Sequence, residues 1–179
     1  MAAENFYIDE FQDYLESKCE LNKLVAHNKA TVAAPTGQRT FARFESDEHI
    51  TAIVNGAGVN IVVVADVYGQ RTGDADDSRL RYTVQLRFAS KKVTGTGNET
   101  EAINEAVQRS ENIMFQFLSL MEKEFKEGCN ALETLEPEKV TWNKIDDQPW
   151  LDDYYGWDLN LAFGSFMPES DAADWEETP

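Results

Sequence analysis

Arg79-Leu80-Arg81-Tyr82-Thr83-Val84-Gln85-Leu86-Arg87-Phe88-Ala89 alternates without a break. Leu80, Tyr82, Val84, Leu86 and Phe88 fall on one face, and Arg79, Arg81, Thr83, Gln85 and Arg87 on the other. Successive side chains of a strand point to opposite faces, so this is the pattern of an antiparallel strand with one dry face. Upstream, residues 60–68 read Asn-Ile-Val-Val-Val-Ala-Asp-Val-Tyr, rich in the β-branched residues that fit a pleated surface. The polar stretch 69–78 between them, rich in Gly and Asp, predicts a long hairpin with a projecting loop.

Working outward, residues 98–127 carry Ile103, Val107, Met114, Phe117, Met121 and Phe125 at helical spacing, widened by Ala106, Ile113 and Leu118. Asn98 with Glu101, or Thr100 with Asn104, can open this helix, and Gly128 can close it. Residues 5–25 form a second amphipathic pattern through Tyr7, Phe11, Tyr14, Leu21 and Val25, with Leu15 and Leu24 beside them. Short apolar runs at 40–44 and 50–54 read as strands, as does 139–145. In 154–166, Trp157, Leu159, Leu161 and Phe163 alternate with Asp158, Asn160, Ala162 and Gly164. Strands grouped on either side of a helix predict an α+β fold: an antiparallel sheet with a long hairpin, packed on one face by a long helix and an N-terminal helix. The 179 residues suit one domain, 1–167, followed by a flexible acidic tail, 168–179, that lacks periodicity.

The chain holds 33 Asp and Glu against 16 Lys and Arg, a net charge of −17. Binding nucleic acid by neutralising phosphates needs the opposite sign, so no sequence-specific nucleic-acid binding is expected. The opening residues lack the basic and apolar regions of a secretory signal, and no run is long and apolar enough to span a bilayer, so no membrane partner is expected. Cys19 and Cys129 lie inside helical runs and read as buried thiols of a reducing compartment. His27 and His49 stand apart from each other and from the cysteines, which does not suit a metal site.

Catalytic templates are missing: no Gly-x-Ser-x-Gly, no phosphate-binding Gly-x-x-x-x-Gly-Lys, no His-Glu-x-x-His and no Cys-x-x-Cys. Gly56-Ala57-Gly58 is part of a dinucleotide fingerprint, but Ile61 stands where the third Gly belongs and a strand follows, so it reads as a turn. Asp74, Asp76 and Asp77 lack the Gly and Glu of a calcium-binding loop. Asp146-Asp147 and Asp152-Asp153 have no supporting His or Lys after them. No enzymatic activity, cofactor or metal is therefore expected. Trp150, Tyr154, Tyr155 and Trp157 form an aromatic cluster that suits core packing or an interface anchor.

Charge is uneven along the chain. Residues 145–179 contain ten acids and no Lys or Arg, whereas 60–95 contain six bases and four acids. A basic hairpin and an acidic end could join copies head to tail, and such a contact closes rings when the rotation allows. The candidate subunit-interface residues are Arg79, Arg81 and Arg87 on one side, and Asp152, Asp153 and Asp158, with Trp157, on the other.

In this layout the chain resembles small structural proteins of tailed bacteriophages, of the tail terminator and head–tail joining (neck) type. The resemblance rests on the hairpin at 60–89, the helix at 98–127 and the closing strand Tyr155-Gly156-Trp157-Asp158-Leu159-Asn160-Leu161. It implies an α+β virion protein without catalytic residues, assembled in the host cytoplasm. It implies a homo-oligomeric ring that contacts other virion proteins, with salt weakening the ring if arginine–aspartate pairs hold it. An acidic DNA mimic that blocks a DNA-binding protein is the alternative reading. Carboxylate–metal chemistry around 146–158 is a third.

Overall fold

The computed structural model describes residues 6–27, 40–43, 59–72, 79–93, 98–145 and 153–166. The alternating stretch that opens the sequence argument is the central strand of a five-stranded sheet. In chain order the elements are α1 (Ile8–Leu21), β1 (Phe41–Ala42), β2 (Asn60–Thr72), β3 (Arg79–Lys91), α2 (Glu99–Lys126), two short 3-10 turns, β4 (Thr141–Lys144) and β5 (Tyr154–Phe166). The strands lie in the order β1-β2-β3-β5-β4. The expected run at 50–54, the tail from 168 and the loop residues 73–78 lie outside the described residues.

Two features of the sheet differ from the sequence expectation. It is mixed rather than antiparallel, because β1 pairs parallel to β2 through Phe41↔Val62 and Ala42↔Val63. The hairpin ladder also continues past Tyr68, to Thr72↔Arg79. A bulge between Val64 and Asp66 explains the broken alternation of β2. Before it Val62 and Val64 join the helix-side core; after it Val67 does, so the extra residue resets the phase and leaves Asp66 exposed. Ile61 and Val63 point to the other face and are also buried, which is why 61–64 reads as a solid apolar run.

Both helices pack on one face. From β3 and β5, Tyr82, Val84, Leu86, Phe88, Trp157, Leu159, Leu161 and Phe163 meet Ile113, Met114, Phe117 and Met121 of α2 and Phe11 and Leu15 of α1. Aromatic contacts tie the layers: Phe88 to Phe117 at 5.4 Å, and Phe163 to Phe6 at 4.3 Å and to Phe11 at 4.8 Å.

Helix ends follow from particular side chains. Asn98 caps α2 by accepting a hydrogen bond from the Thr100 N–H at 3.0 Å. At the other end Gly128 adopts φ +81°. Its N–H donates to the Phe125 carbonyl and that of Cys129 to the Glu124 carbonyl, which closes a Schellman turn. α1 stops at Leu21 rather than near Val25, because Asn22 Oδ1 accepts from the N–H groups of Leu24 and Val25 and turns the chain. Leu21 and Tyr7, counted in the apolar stripe by spacing, are exposed.

β1 is held to α1 by buried polar groups. His27 Nδ1 accepts from both Thr40 N and Phe41 N at 3.1 Å, so the proton of the neutral ring sits on Nε2, 3.5 Å from Glu16 Oε1. Arg43 on the far side of β1 bonds Glu16 at 2.6 Å and also Asp13.

Two glycines have different reasons and give different predicted costs. A Cβ on Gly156 would fall inside the Phe88 carbonyl oxygen and 2.8 Å from Ala89 Cα, whereas one on Gly128 meets nothing. Gly128→Ala should therefore cost only the left-handed backbone penalty, about 1–2 kcal/mol. Gly156→Ala should cost more than Gly128→Ala, because β5 must move away from β3. Urea denaturation of the two variants checks the order.

Candidate functional site

The face of the sheet away from the helices collects the residues that the sequence singles out. Strand pairing sets Arg81 opposite Gly164, Thr83 opposite Ala162, Gln85 opposite Asn160 and Arg87 opposite Asp158. Arg87 and Asp158 form a two-pronged pair, Nε to Oδ1 at 2.7 Å and Nη2 to Oδ2 at 2.8 Å. The Asp158 side chain is 7% exposed and that of Arg87 19%. Gln85 Nε2 adds a long contact to Asp158 Oδ2 at 3.4 Å. Arg81 turns instead to Glu136, with Nε to Oε2 at 2.6 Å, at a half-exposed position. Glu136 is carried there by the segment whose Leu135 bridges to Phe163 and whose backbone bonds flank β5.

The expected contact between one copy's arginines and the next copy's acids is thereby altered. Arg87 and Asp158 satisfy each other within one chain, Arg81 bonds Glu136, and Asp153 lies 3.3 Å from Lys92. Trp157 points to the helix side and packs against the core, so it is no exposed anchor. Tyr154 and Tyr155 are buried beside it in β5. Arg79 begins β3 opposite Thr72 and Phe166, and its side chain is not described. Asp152, Trp150 and the pair Asp146-Asp147 lie outside the described residues.

A second surface was not visible in the sequence. An open groove of about 670 Å³ runs along α2, lined by Leu24, Phe115, Gln116, Leu120 and Lys123 among others. A second groove of about 370 Å³ shares Gln116 and Leu120 with it and adds Lys18, Leu21 and Glu124. Beyond the groove, Phe115 meets Trp142 of β4 edge-to-face at 5.8 Å. Leu21, Leu24, Phe115 and Trp142 are all more than 40% exposed.

The floor of the groove is an ionic clamp between the helices. Lys18 Nζ lies 2.7 Å from Glu124 Oε1 and 4.9 Å from the centre of the Tyr14 ring. The Tyr14 hydroxyl and Glu124 Oε2 are buried without a partner of good hydrogen-bond geometry, although the two groups act on each other. Burial and then the Glu124 carboxylate push the Tyr14 hydroxyl far above its ordinary range. For Glu124, burial works upward, but the Lys18 ammonium and the Tyr14 hydroxyl outweigh it and hold the carboxyl below its ordinary range. Cys19, behind the clamp, is buried, and burial followed by Glu16 and Glu20 raises its thiol, which makes it unreactive.

Among the described residues no group of three or more His, Cys, Asp or Glu is placed to share a metal ion, and no helix is long and apolar enough to cross a membrane. Compared with known protein families, curated proteins and solved structures, the chain matches none.

Asp158→Leu should destabilise the fold by about 1.5–3 kcal/mol, because it removes the carboxylate that accepts two charge-assisted hydrogen bonds from the partly buried Arg87 guanidinium. Adding Arg87→Met should recover most of that loss, whereas Arg81→Met alone should cost at most about 1 kcal/mol at its half-exposed site. Chemical denaturation of the three variants checks this. Glu124 contributes stability that is present above its ordinary carboxyl range and is lost as pH falls through its lowered folded value. Glu124→Gln should therefore lose melting temperature near neutral pH but show a shallower decline than wild type below about pH 4.3.

Proposed function

We propose that the chain is a non-enzymatic structural virion protein: a ring-forming tail terminator or head–tail connector component that works through contacts between copies and with a tail tube. The observation that carries this reading is the outer edge of the sheet. Among the described residues β4 pairs only with β5, and its four residues are all exposed. Such an edge presents backbone donors and acceptors in a row, ready to take a further strand. The exposed Phe115 and Trp142 lie directly beside it. A directional edge next to an aromatic anchor is what a head-to-tail contact needs, and head-to-tail contacts close into rings when the rotation between copies allows. In this reading the partners are other copies and other virion proteins, and the place of action is the particle, assembled in the host cytoplasm.

The role of charge changes with the pairing found within the chain. Of the arginines and aspartates singled out in the sequence, Arg81, Arg87, Asp153 and Asp158 are engaged within the chain. Copies of a chain with a net charge of −17 repel one another. Salt screens that repulsion, so it should favour the oligomer rather than weaken it.

Light scattering on a size-exclusion column tests the proposal. A ring-sized particle, or a mass that climbs with concentration and with salt, is expected. Trp142→Glu combined with Phe115→Glu should return the protein to monomer without unfolding it. A strict monomer at every concentration and salt would count against self-assembly. In that case capture of a basic DNA-binding protein would favour the acidic DNA-mimic reading.

A further inference from the structure

We propose that His27 is a pH-sensitive latch: its neutral ring holds β1 on the sheet, and a second proton on that ring releases β1. The inference does not depend on the virion reading, since it concerns the β1 edge and not β4.

The geometry makes the proton count of the ring decisive. The His27 side chain is 6% exposed, and its Nδ1 accepts from the backbone N–H groups of Thr40 and Phe41, each at 3.1 Å. An imidazole nitrogen accepts only while it carries no proton, and the imidazolium is a donor at both nitrogens. A proton on Nδ1 would face two N–H donors, so it cannot enter while β1 stays in place. The ring is also fixed at its base. The His27 N–H donates to the carbonyl of Cys19, in the last turn of α1, at 3.1 Å, and the ring meets Phe41 edge-on at 5.9 Å. His27 thus belongs to α1 by its backbone and to β1 by its ring.

β1 is two residues long and pairs with Val62 and Val63, and the Val62 N–H donates to the Thr40 carbonyl at 2.8 Å. Thr40 is 1% exposed and Phe41 4%. Their N–H groups, once deprived of Nδ1, would be buried donors without an acceptor unless β1 moves out into water.

The surrounding charges support both states of the latch. Among the described residues, Glu16 of α1 faces the ring, with Oε1 3.5 Å from Nε2. Its Oε2 bonds Arg43, which follows β1, at 2.6 Å, and Asp13 bonds Arg43 as well. Glu20, further along α1, acts with Glu16 on the neighbouring Cys19 thiol. When β1 leaves it carries Arg43 away, and the Glu16 carboxylate stays on α1 to pair with the imidazolium. Glu16 therefore exchanges one cation for another. The released state binds one proton more than the closed state. The closed state is favoured above the ordinary imidazole range, near about 6.5, and loses ground as pH falls below it. One proton per opening raises the opening equilibrium by up to about tenfold per pH unit. Opening bares the backbone edge of Val62 and Val63, at the opposite side of the sheet from β4.

Amide hydrogen exchange of the full chain, followed by NMR from about pH 8 to about pH 5 and expressed as protection relative to an unfolded chain, tests the latch. Protection at Thr40, Phe41 and Val62 is expected to be level above about pH 7 and to fall by up to about tenfold per unit below about pH 6. Phe88 and Leu159, in the central strands, should keep theirs. In the same step the nitrogen resonances of His27 should pass from the Nε2–H tautomer to the doubly protonated ring. His27→Asn sets a carbonyl oxygen where Nδ1 stands and takes up no proton there, so it should keep β1 protected throughout. Level protection of β1 in the wild type over the whole range overturns the proposal, as does a doubly protonated ring with β1 still protected. Equal loss in wild type and His27→Asn overturns it too, because carboxylates such as Glu16 would then drive the opening. If His27→Asn is unprotected at every pH, the wild-type titration decides alone.

Discussion

The register of β5 on β3 governs everything else in this molecule. A slip of one residue would turn Leu159, Leu161 and Phe163 away from the helices and drive Asp158 and Asn160 into the core. Two features oppose the slip. Gly156 stands opposite Ala89, where the strands approach so closely that no Cβ fits against the Phe88 carbonyl. Two residues on, Arg87 and Asp158 meet with both prongs of the guanidinium engaged. A buried ion pair adds little net stability over a well-packed apolar pair, but it penalises every register that separates its members. The pair is best understood as a register pin, and its charge is not available to a neighbour.

How far the sequence reveals the fold depends on whether a feature is local. Strands β3 and β5 are legible because each has one dry and one wet face, which imposes a period of two on the residues themselves. The stripe of α2 and its ends at Asn98 and Gly128 are legible for the same reason. The parallel pairing of β1 is not, since it is fixed by His27 accepting two backbone hydrogen bonds thirteen and fourteen residues away. The bulge after Val64 is hidden too. Its effect is to change which face Val67 joins, and that has meaning only against a partner strand. Asn22 illustrates a local signal outweighed by a periodic one. The spacing of Leu21 and Val25 continues the helix, but the Asn22 side chain offers the backbone a turn instead.

The candidate surfaces show the same division. The arginine row on β3 is written in the sequence, because alternate positions must share a face. Its partners are not, because Arg87 and Asp158 are 71 residues apart and Arg81 and Glu136 are 55 apart. Only the strand register joins the first pair, and only the bridge at Leu135 brings in the second. The groove has no sequence signature at all. Leu21 and Leu24 look like core residues by spacing, and they become surface because α1 ends before them or at them.

The polar groups that hold the architecture come as pairs of opposite sign: Arg87 with Asp158, Arg81 with Glu136, Lys18 with Glu124, and Arg43 with Glu16 and Asp13. These pairs contribute almost nothing to the net charge, so the excess of acids lies elsewhere in the chain. An excess of one sign repels other copies at long range and cannot itself hold them together. Any contact between copies must therefore form where the local charge is near neutral and where short-range forces act. The β4 edge with Trp142 and Phe115 meets both conditions. A strand edge directs a partner's backbone, and the aromatic pair beside it supplies the short-range apolar contact.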